Sequence, residues 1–84
     1  MFYHVKLYTI SNSEHCTSAI YWLNKNGIKF EEVNLDKDDD AKEDLVELTG
    51  QLSAPTLVIA KNTENEIVIG FDPAEYKSHL KDQI

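Results

Sequence analysis

The sequence contains no arginine and only one cysteine, two prolines and three glycines among its 84 residues. Its 8 basic side chains, all lysine, stand against 15 acidic ones, which gives a formal net charge of -7. Nucleic-acid binding needs a basic patch or stripe that neutralises phosphates, so this balance argues against it. The single cysteine, Cys16, excludes an internal disulfide framework and fits a reducing compartment, and we therefore expect a cytoplasmic protein.

Long apolar runs are also missing. A membrane-spanning helix takes about 20 consecutive apolar residues, and no run in this chain approaches that length, so no membrane association is expected. Residues 1–10 lack the positive start and apolar stretch of a signal peptide. Because there are no internal repeats and no low-complexity linker, we expect residues 1–84 to form a single, monomeric domain.

The first half of the chain predicts two strands and two helices. Residues 4–10 alternate in polarity and are rich in β-branched and aromatic side chains, which predicts a strand. Behind the polar cluster of residues 11–13, apolar side chains recur at helical spacing: Cys16, Ala19, Ile20 and Leu23. Gly27 stands where a helix would end, and residues 28–35 read as a second strand.

A second helix follows, with Asp38–Asp40 in its first turn, where acidic side chains complement the helix dipole. Its inner face carries Ala41, Leu45 and Leu48, and Gly50 ends it. Residues 56–60 and 66–70 predict two short strands joined by a polar loop, Lys61–Asn65. Asp72 as N-cap, Pro73 in the first turn and Glu75 three residues after the cap predict the start of a last helix.

The element order is therefore β-α-β-α-β-β-α. The first two strands, joined through a helix, should be parallel with a right-handed crossover, and the last two should form an antiparallel hairpin. We expect an α/β protein with a four-stranded mixed sheet flanked by helices.

Several segments carry a further signal in this order: Val5–Thr9, the turn into the first helix, Leu23–Phe30, Thr49–Gln51, Ser53–Pro55 and Gly70–Pro73. Together they resemble the glutaredoxin family, and the resemblance covers almost the whole chain. The resemblance implies a thioredoxin-like fold and thiol–disulfide exchange. The last segment is most similar to the glutaredoxin-like redoxins that donate electrons to ribonucleotide reductase.

The family's active site, Cys-x-x-Cys at the start of the first helix, reads Ser13-Glu14-His15-Cys16 here. The resemblance makes Ser13 and Cys16 the candidate catalytic positions, with Glu14 and His15 in the turn between them. A first-position thiolate attacks a disulfide and the second thiol resolves the product. A serine hydroxyl is not ionised at neutral pH and cannot exchange disulfides, so the two-cysteine cycle is blocked.

The resemblance also implies a substrate groove. Pro55 matches the family's cis-proline, and Ala54 before it would offer its backbone to an extended peptide or to glutathione. Gly70, Phe71 and Asp72 are the remaining candidate contacts. Family members that use glutathione usually carry a lysine or arginine where this chain has Ile10. The resemblance therefore favours a protein partner, either a disulfide substrate or a reductase, of the ribonucleotide-reductase or thioredoxin-reductase type. Glutathione stays open as a co-substrate.

Three interpretations of Ser13 stay open, and with them the question whether the chain is an enzyme. It is a natural member that works through Cys16 alone, a redox-silent module that binds a partner protein, or a redoxin whose first cysteine was replaced deliberately. No metal site is expected, because His4, His15 and Cys16 have no fourth ligand at metal-binding spacing.

Overall fold

A computed structural model describes residues 4–61 and 64–83 of the chain. Four strands and three helices follow one another in the predicted order. They are β1 (His4–Thr9), α1 (Glu14–Lys25), β2 (Glu31–Asn34), α2 (Asp39–Thr49), β3 (Thr56–Lys61), β4 (Glu64–Ile69) and α3 (Pro73–Leu80), followed by a short 3-10 turn, Lys81–Gln83.

The strands form one mixed sheet in the order β2-β1-β3-β4. β1 and β2 are parallel, while β3 is antiparallel to both β1 and β4, as the sequence predicted for the first and last pairs. β3 extends to Lys61 and β4 begins at Glu64, so residues 61, 64 and 65 of the predicted loop lie in strands, and residues 62–63 lie outside the described residues.

Side chains alternate between two cores, one on each face of the sheet. One face packs against α1 and α3 and buries ten residues: Val5, Leu7, Ala19, Leu23, Ile28, Leu57, Ile59, Val68, Tyr76 and Leu80. The other face packs against α2 and buries Tyr8, Leu35, Ala41, Leu45 and Val58. The helices thus cover both faces and leave the ends of the strands open.

Two sequence predictions need correction. The second strand begins at Glu31 rather than at residue 28, because the Ile28 amide donates to the Leu23 carbonyl at 3.0 Å and closes the end of α1. Leu48 was expected on the inner face of α2 but is 37% exposed. It borders an open cavity with Lys6 and Tyr8, and the polar Lys6 side chain leaves it without a full apolar cover.

Candidate functional site

Three loops meet at one edge of the sheet. Tyr8, near the end of β1, pairs with Thr56 at the start of β3, and Thr56 also pairs with Ile69 at the end of β4. The segment that leads from β1 into α1, the residues before β3 and the residues after β4 therefore lie at the same edge. This arrangement places Ser13, Pro55 and Gly70, which the sequence singled out separately, at the same end of the molecule.

Ser13 is the N-cap of α1. Its backbone is extended, with φ -110° and ψ 122°, and its Oγ accepts a hydrogen bond from the Cys16 amide at 3.3 Å. The Ser13 carbonyl accepts from both the amide and the hydroxyl of Thr17, each at 3.0 Å. A side-chain atom at this position thus accepts a hydrogen bond from a helix amide and lies at the N-terminus of the helix, which carries a partial positive charge.

Cys16 is buried one turn into α1, with 2% of its surface exposed, and its thiol is free. Glu14 and His15, between it and the cap, are exposed to solvent. In the part of the chain that the structure describes, neither side chain forms a hydrogen bond or an ion pair. Any reagent that reaches this turn from solvent therefore meets Ser13, Glu14 and His15 before it meets the sulfur of Cys16.

The loop before Ser13 is tied to the turn after β2. The Ser11 amide donates to an Asp36 carboxylate oxygen at 2.8 Å, and the Asn34 side-chain amide donates to the Ser11 hydroxyl at 3.3 Å. The Asp36 amide in turn donates to the Asn34 side-chain carbonyl at 2.9 Å. Asn12, at the bend, has a positive φ of 58°, which asparagine tolerates better than most residues. These contacts fix the direction in which the chain enters α1.

Pro55 and Gly70 form the opposite side of the site. The Ala54–Pro55 peptide bond is cis, the isomer that the resemblance implied. Pro55 is buried and Ala54 partly so, and the Pro55 carbonyl accepts a hydrogen bond from the Gly70 amide at 2.8 Å. Gly70 has φ 86°, a left-handed conformation in which a side chain would be strained, and this explains why glycine stands there.

The turn after Gly70 leads directly into α3. Asp72 caps this helix, and its Oδ1 accepts from the amides of Ala74 and Glu75 at 3.1 and 3.2 Å. The N-cap is Asp72, as the sequence predicted. The carboxylate of Glu75, which belonged to the same predicted helix start, lies 3.3 Å from the Nε2 atom of His79, one turn along the helix. Phe71 is partly buried and packs against the core.

Tyr76 of α3 lies near both sides of the site. Its hydroxyl donates to the Gly70 carbonyl at 3.2 Å. Burial raises the pKa of Tyr76, and the nearby Cys16 and Asp72 add smaller contributions in the same direction.

Sequence reasoning missed two contributors. The sequence assigned no role in the site to Asp36 or to Tyr76. Their partners, Ser11 and Gly70, are 25 and 6 positions away in the chain, and the contacts depend on how the loops meet. Only the capping pattern at Asp72 was readable locally.

Metal ligation and membrane insertion gain no support from the described residues. Nowhere in residues 4–61 and 64–83 do three or more His, Cys, Asp or Glu side chains gather in a group that could hold a metal ion. Within the same ranges, no helix combines the length and apolar character needed to cross a bilayer.

The chain is similar to redox proteins in both sequence and structure. The family model for glutaredoxin matches residues 5–63, whereas no curated protein matches the sequence. The glutaredoxin of Methanosarcina mazei is 26% identical, with a TM-score of 0.77 over 92% of this chain and 77% of that one. The glutaredoxin of Archaeoglobus fulgidus is 25% identical, with a TM-score of 0.73 over 89% and 83%.

A third structure, the glutaredoxin-like NrdH-redoxin of Escherichia coli, is 23% identical and has a TM-score of 0.70, covering 89% of this chain and 92% of that one. At this identity the likeness concerns the fold, which is the mixed four-stranded sheet and helices of the thioredoxin-like class. The family model matches well over half of the sequence. The chain belongs to the glutaredoxin family.

Proposed function

We propose that this chain is a thiol–disulfide exchange redoxin of the cytoplasm, with a role in cell redox homeostasis, in which Ser13 stands in place of the attacking thiol. As written, the dithiol cycle is blocked. Its proposed partners are a protein disulfide substrate and a protein reductase. The proposed functional state is a monomer.

The observation that carries the proposal is the hydrogen bond from the Cys16 amide to Ser13 Oγ at 3.3 Å. A sulfur at the Oγ position would accept the same amide and sit at the positive end of α1. Both effects stabilise a thiolate and lower a cysteine pKa from its free value of about 8.5. The surroundings thus suit a nucleophilic thiol, while the residue itself is a hydroxyl that stays protonated.

A protein partner is favoured over glutathione by charge. Ile10, at the position where glutathione-using members carry a basic residue, is 40% exposed and neutral. The exposed acidic side chains near the site include Glu14, Asp36 and Asp72. Glutathione carries net negative charge, so these carboxylates repel it, whereas an extended protein segment can use the backbone of Ala54 and the surfaces of Pro55 and Phe71.

The test compares the parent chain with Ser13→Cys in the reduction of insulin disulfides, driven either by glutathione or by a thioredoxin-reductase system. We expect the parent to stay at background and Ser13→Cys to turn over, faster with the reductase system. The double variant Ser13→Cys/Cys16→Ala is the matched control, since it keeps the new nucleophile but lacks the resolving thiol. Silence of Ser13→Cys with both reductants would contradict the proposal.

The second candidate is a redox-silent binding module, and it is favoured by the burial of Cys16, which has 2% exposure. A one-cysteine enzyme needs an accessible sulfur of low pKa, whereas Cys16 is buried. A module would bind its partner equally well after Cys16→Ala. If Ser13→Cys is inactive yet the folded parent retains a partner protein, this second function is the better description.

A further inference from the structure

Tyr76 is the largest fully buried side chain of the described residues, with 0% exposure. Its ring lies between two others at nearly perpendicular angles. The Trp22 ring on α1 is 5.7 Å away at 80°, and the Phe71 ring is 5.5 Å away at 79°. Edge-to-face pairs of this kind hold a ring in one orientation, so the direction of the phenol oxygen is fixed.

The phenol oxygen of Tyr76 forms a hydrogen bond. The Tyr76 hydroxyl donates to the Gly70 carbonyl at 3.2 Å. A buried hydroxyl without a partner would cost free energy, and phenylalanine would fill the same apolar space without that requirement. Because burial raises the pKa of Tyr76, the phenol keeps its proton and remains a donor at any physiological pH.

Gly70 connects Tyr76 to Pro55 through its backbone. Its carbonyl accepts from Tyr76, and its amide donates to the Pro55 carbonyl at 2.8 Å. Two consecutive hydrogen bonds therefore connect α3 to the proline turn. Gly70 itself has a conformation open mainly to glycine, at φ 86°, and a backbone with that freedom needs external contacts to stay in one geometry.

We infer that Tyr76 is a positioning residue, whose hydroxyl holds the Gly70 backbone and through it the Pro55 turn in the geometry that receives a partner's extended disulfide segment. This inference rests on the proposed function for the identity of the ligand. Its proposed role is indirect, through the Gly70 backbone, and needs no contact with the reacting atoms or with the partner. It acts by reducing the number of conformations that the Pro55 turn must give up on binding.

The first measurement is amide hydrogen exchange by NMR on the parent chain and on Tyr76→Phe, which removes one oxygen and leaves the aromatic contacts. We expect the Gly70 amide to exchange roughly threefold to tenfold faster, the range for loss of one neutral hydrogen bond. The Leu7 amide in the central strand should be unchanged, which separates local loosening from global destabilisation. Tyr21→Phe, the same chemical change at a 65% exposed position on α1, is the control and should leave Gly70 unaffected.

The second measurement places Tyr76→Phe in the Ser13→Cys background and separates KM from kcat for insulin disulfides. A positioning role predicts a KM raised by roughly threefold to tenfold with kcat nearly unchanged. An unchanged Gly70 exchange rate would overturn the inference, and so would an unchanged KM in a variant that turns over. If Ser13→Cys itself does not turn over, the proposed function fails, and the exchange rate of Gly70 still decides whether Tyr76 fixes the turn.

Discussion

A single atom separates the side chain of Ser13 from the nucleophile that its surroundings suit. Serine is among the preferred N-cap residues, and its Oγ satisfies a helix amide that would otherwise lack a partner. The same position in front of a helix would stabilise a thiolate, but an alcohol keeps its proton near neutral pH. Serine therefore suits the structural role of this position, the N-cap, but not the chemical role of a nucleophile. Ser13 caps α1, and under the proposed function it also removes the exchange step.

Cys16 is the remaining sulfur, and its burial leads to a prediction about reactivity. With 2% of its surface exposed, the thiol reaches a reagent only when α1 opens. We expect iodoacetamide to label native Cys16 at least about tenfold more slowly than Cys16 of the chain unfolded in guanidinium, as followed by intact-protein mass. Ser13→Cys, reduced beforehand so that the new thiol is not in a disulfide with Cys16, is the control, because its added thiol at the partly exposed cap should take up one label promptly. Equally fast labelling of native and unfolded parent chains would contradict the prediction and favour an enzyme that works through Cys16 alone.

Among the elements, α3 depends on side-chain contacts at both of its ends. Asp72 caps its start, and near its end His79 lies 2.8 Å from the Glu66 carboxylate on β4. Lys61 on β3 reaches the same carboxylate oxygen at 2.6 Å. The hydrogen bonds from Lys61 and His79 lower the pKa of Glu66 below its ordinary value of 4.5. The carboxylate thus joins the β3–β4 hairpin to the helix that carries Tyr76.

A lowered pKa in the folded state gives a defined pH dependence. The stabilisation from Glu66 is fully present above the unfolded value of 4.5 and is lost as the pH falls through the lower folded value. Glu66→Gln should therefore reduce the free energy of unfolding by up to about 1 kcal/mol at pH 7, since the pair is partly exposed, and the difference from the parent should shrink toward pH 3. Urea unfolding across this pH range measures it. Glu47→Gln, at an exposed carboxylate of α2, is the control, and a difference that grows on acidification would contradict the prediction.

Element order and the pairing of the first two and the last two strands were predictable because they rest on local patterns, whereas one strand boundary was not. Ile28 follows Gly27 and begins an alternating stretch, which predicts a strand. In the folded chain its amide closes the end of α1 instead, with the Gly27 amide bonded to the Asn24 carbonyl. This paired closure is typical of a helix that ends in a left-handed glycine, and the next residue then packs back onto the helix. The strand can start only after the chain has turned, at Glu31.

At the scale of the whole molecule, the sheet topology creates the site. The reversal between β1 and β3 brings residues 13 and 55 to one edge, and the β3–β4 hairpin brings Gly70 there as well. The site residues could be listed from the sequence by resemblance, since each lies in a recognisable segment. The contacts that hold them, such as Tyr76 to Gly70, could not be listed, because they depend on the meeting of loops that no local pattern specifies.

The net charge of -7 acts on every ligand that approaches that edge. Charges within about 8 Å of one another interact across physiological salt, and more distant ones are largely screened. The nearby carboxylates therefore set the local potential. Ile10 contributes no opposing charge, so we expect glutathione to be disfavoured at the site by these carboxylates as well as by the lack of a specific basic contact.

Restoring one positive charge tests whether this potential decides the choice of reductant. In the Ser13→Cys background, Ile10→Lys should raise glutathione-dependent turnover by about twofold to fivefold, the effect of one unit charge several ångströms from an anion near a protein surface. The gain should fall as sodium chloride rises from 20 to about 300 mM, because screening weakens it. Ile10→Gln is the matched control: it is polar but neutral, and it separates charge from the loss of an exposed apolar side chain. Turnover with the thioredoxin-reductase system should change little in either variant. An equal gain with glutamine, or a gain insensitive to salt, would show that shape or solvation at residue 10, rather than charge, sets the preference.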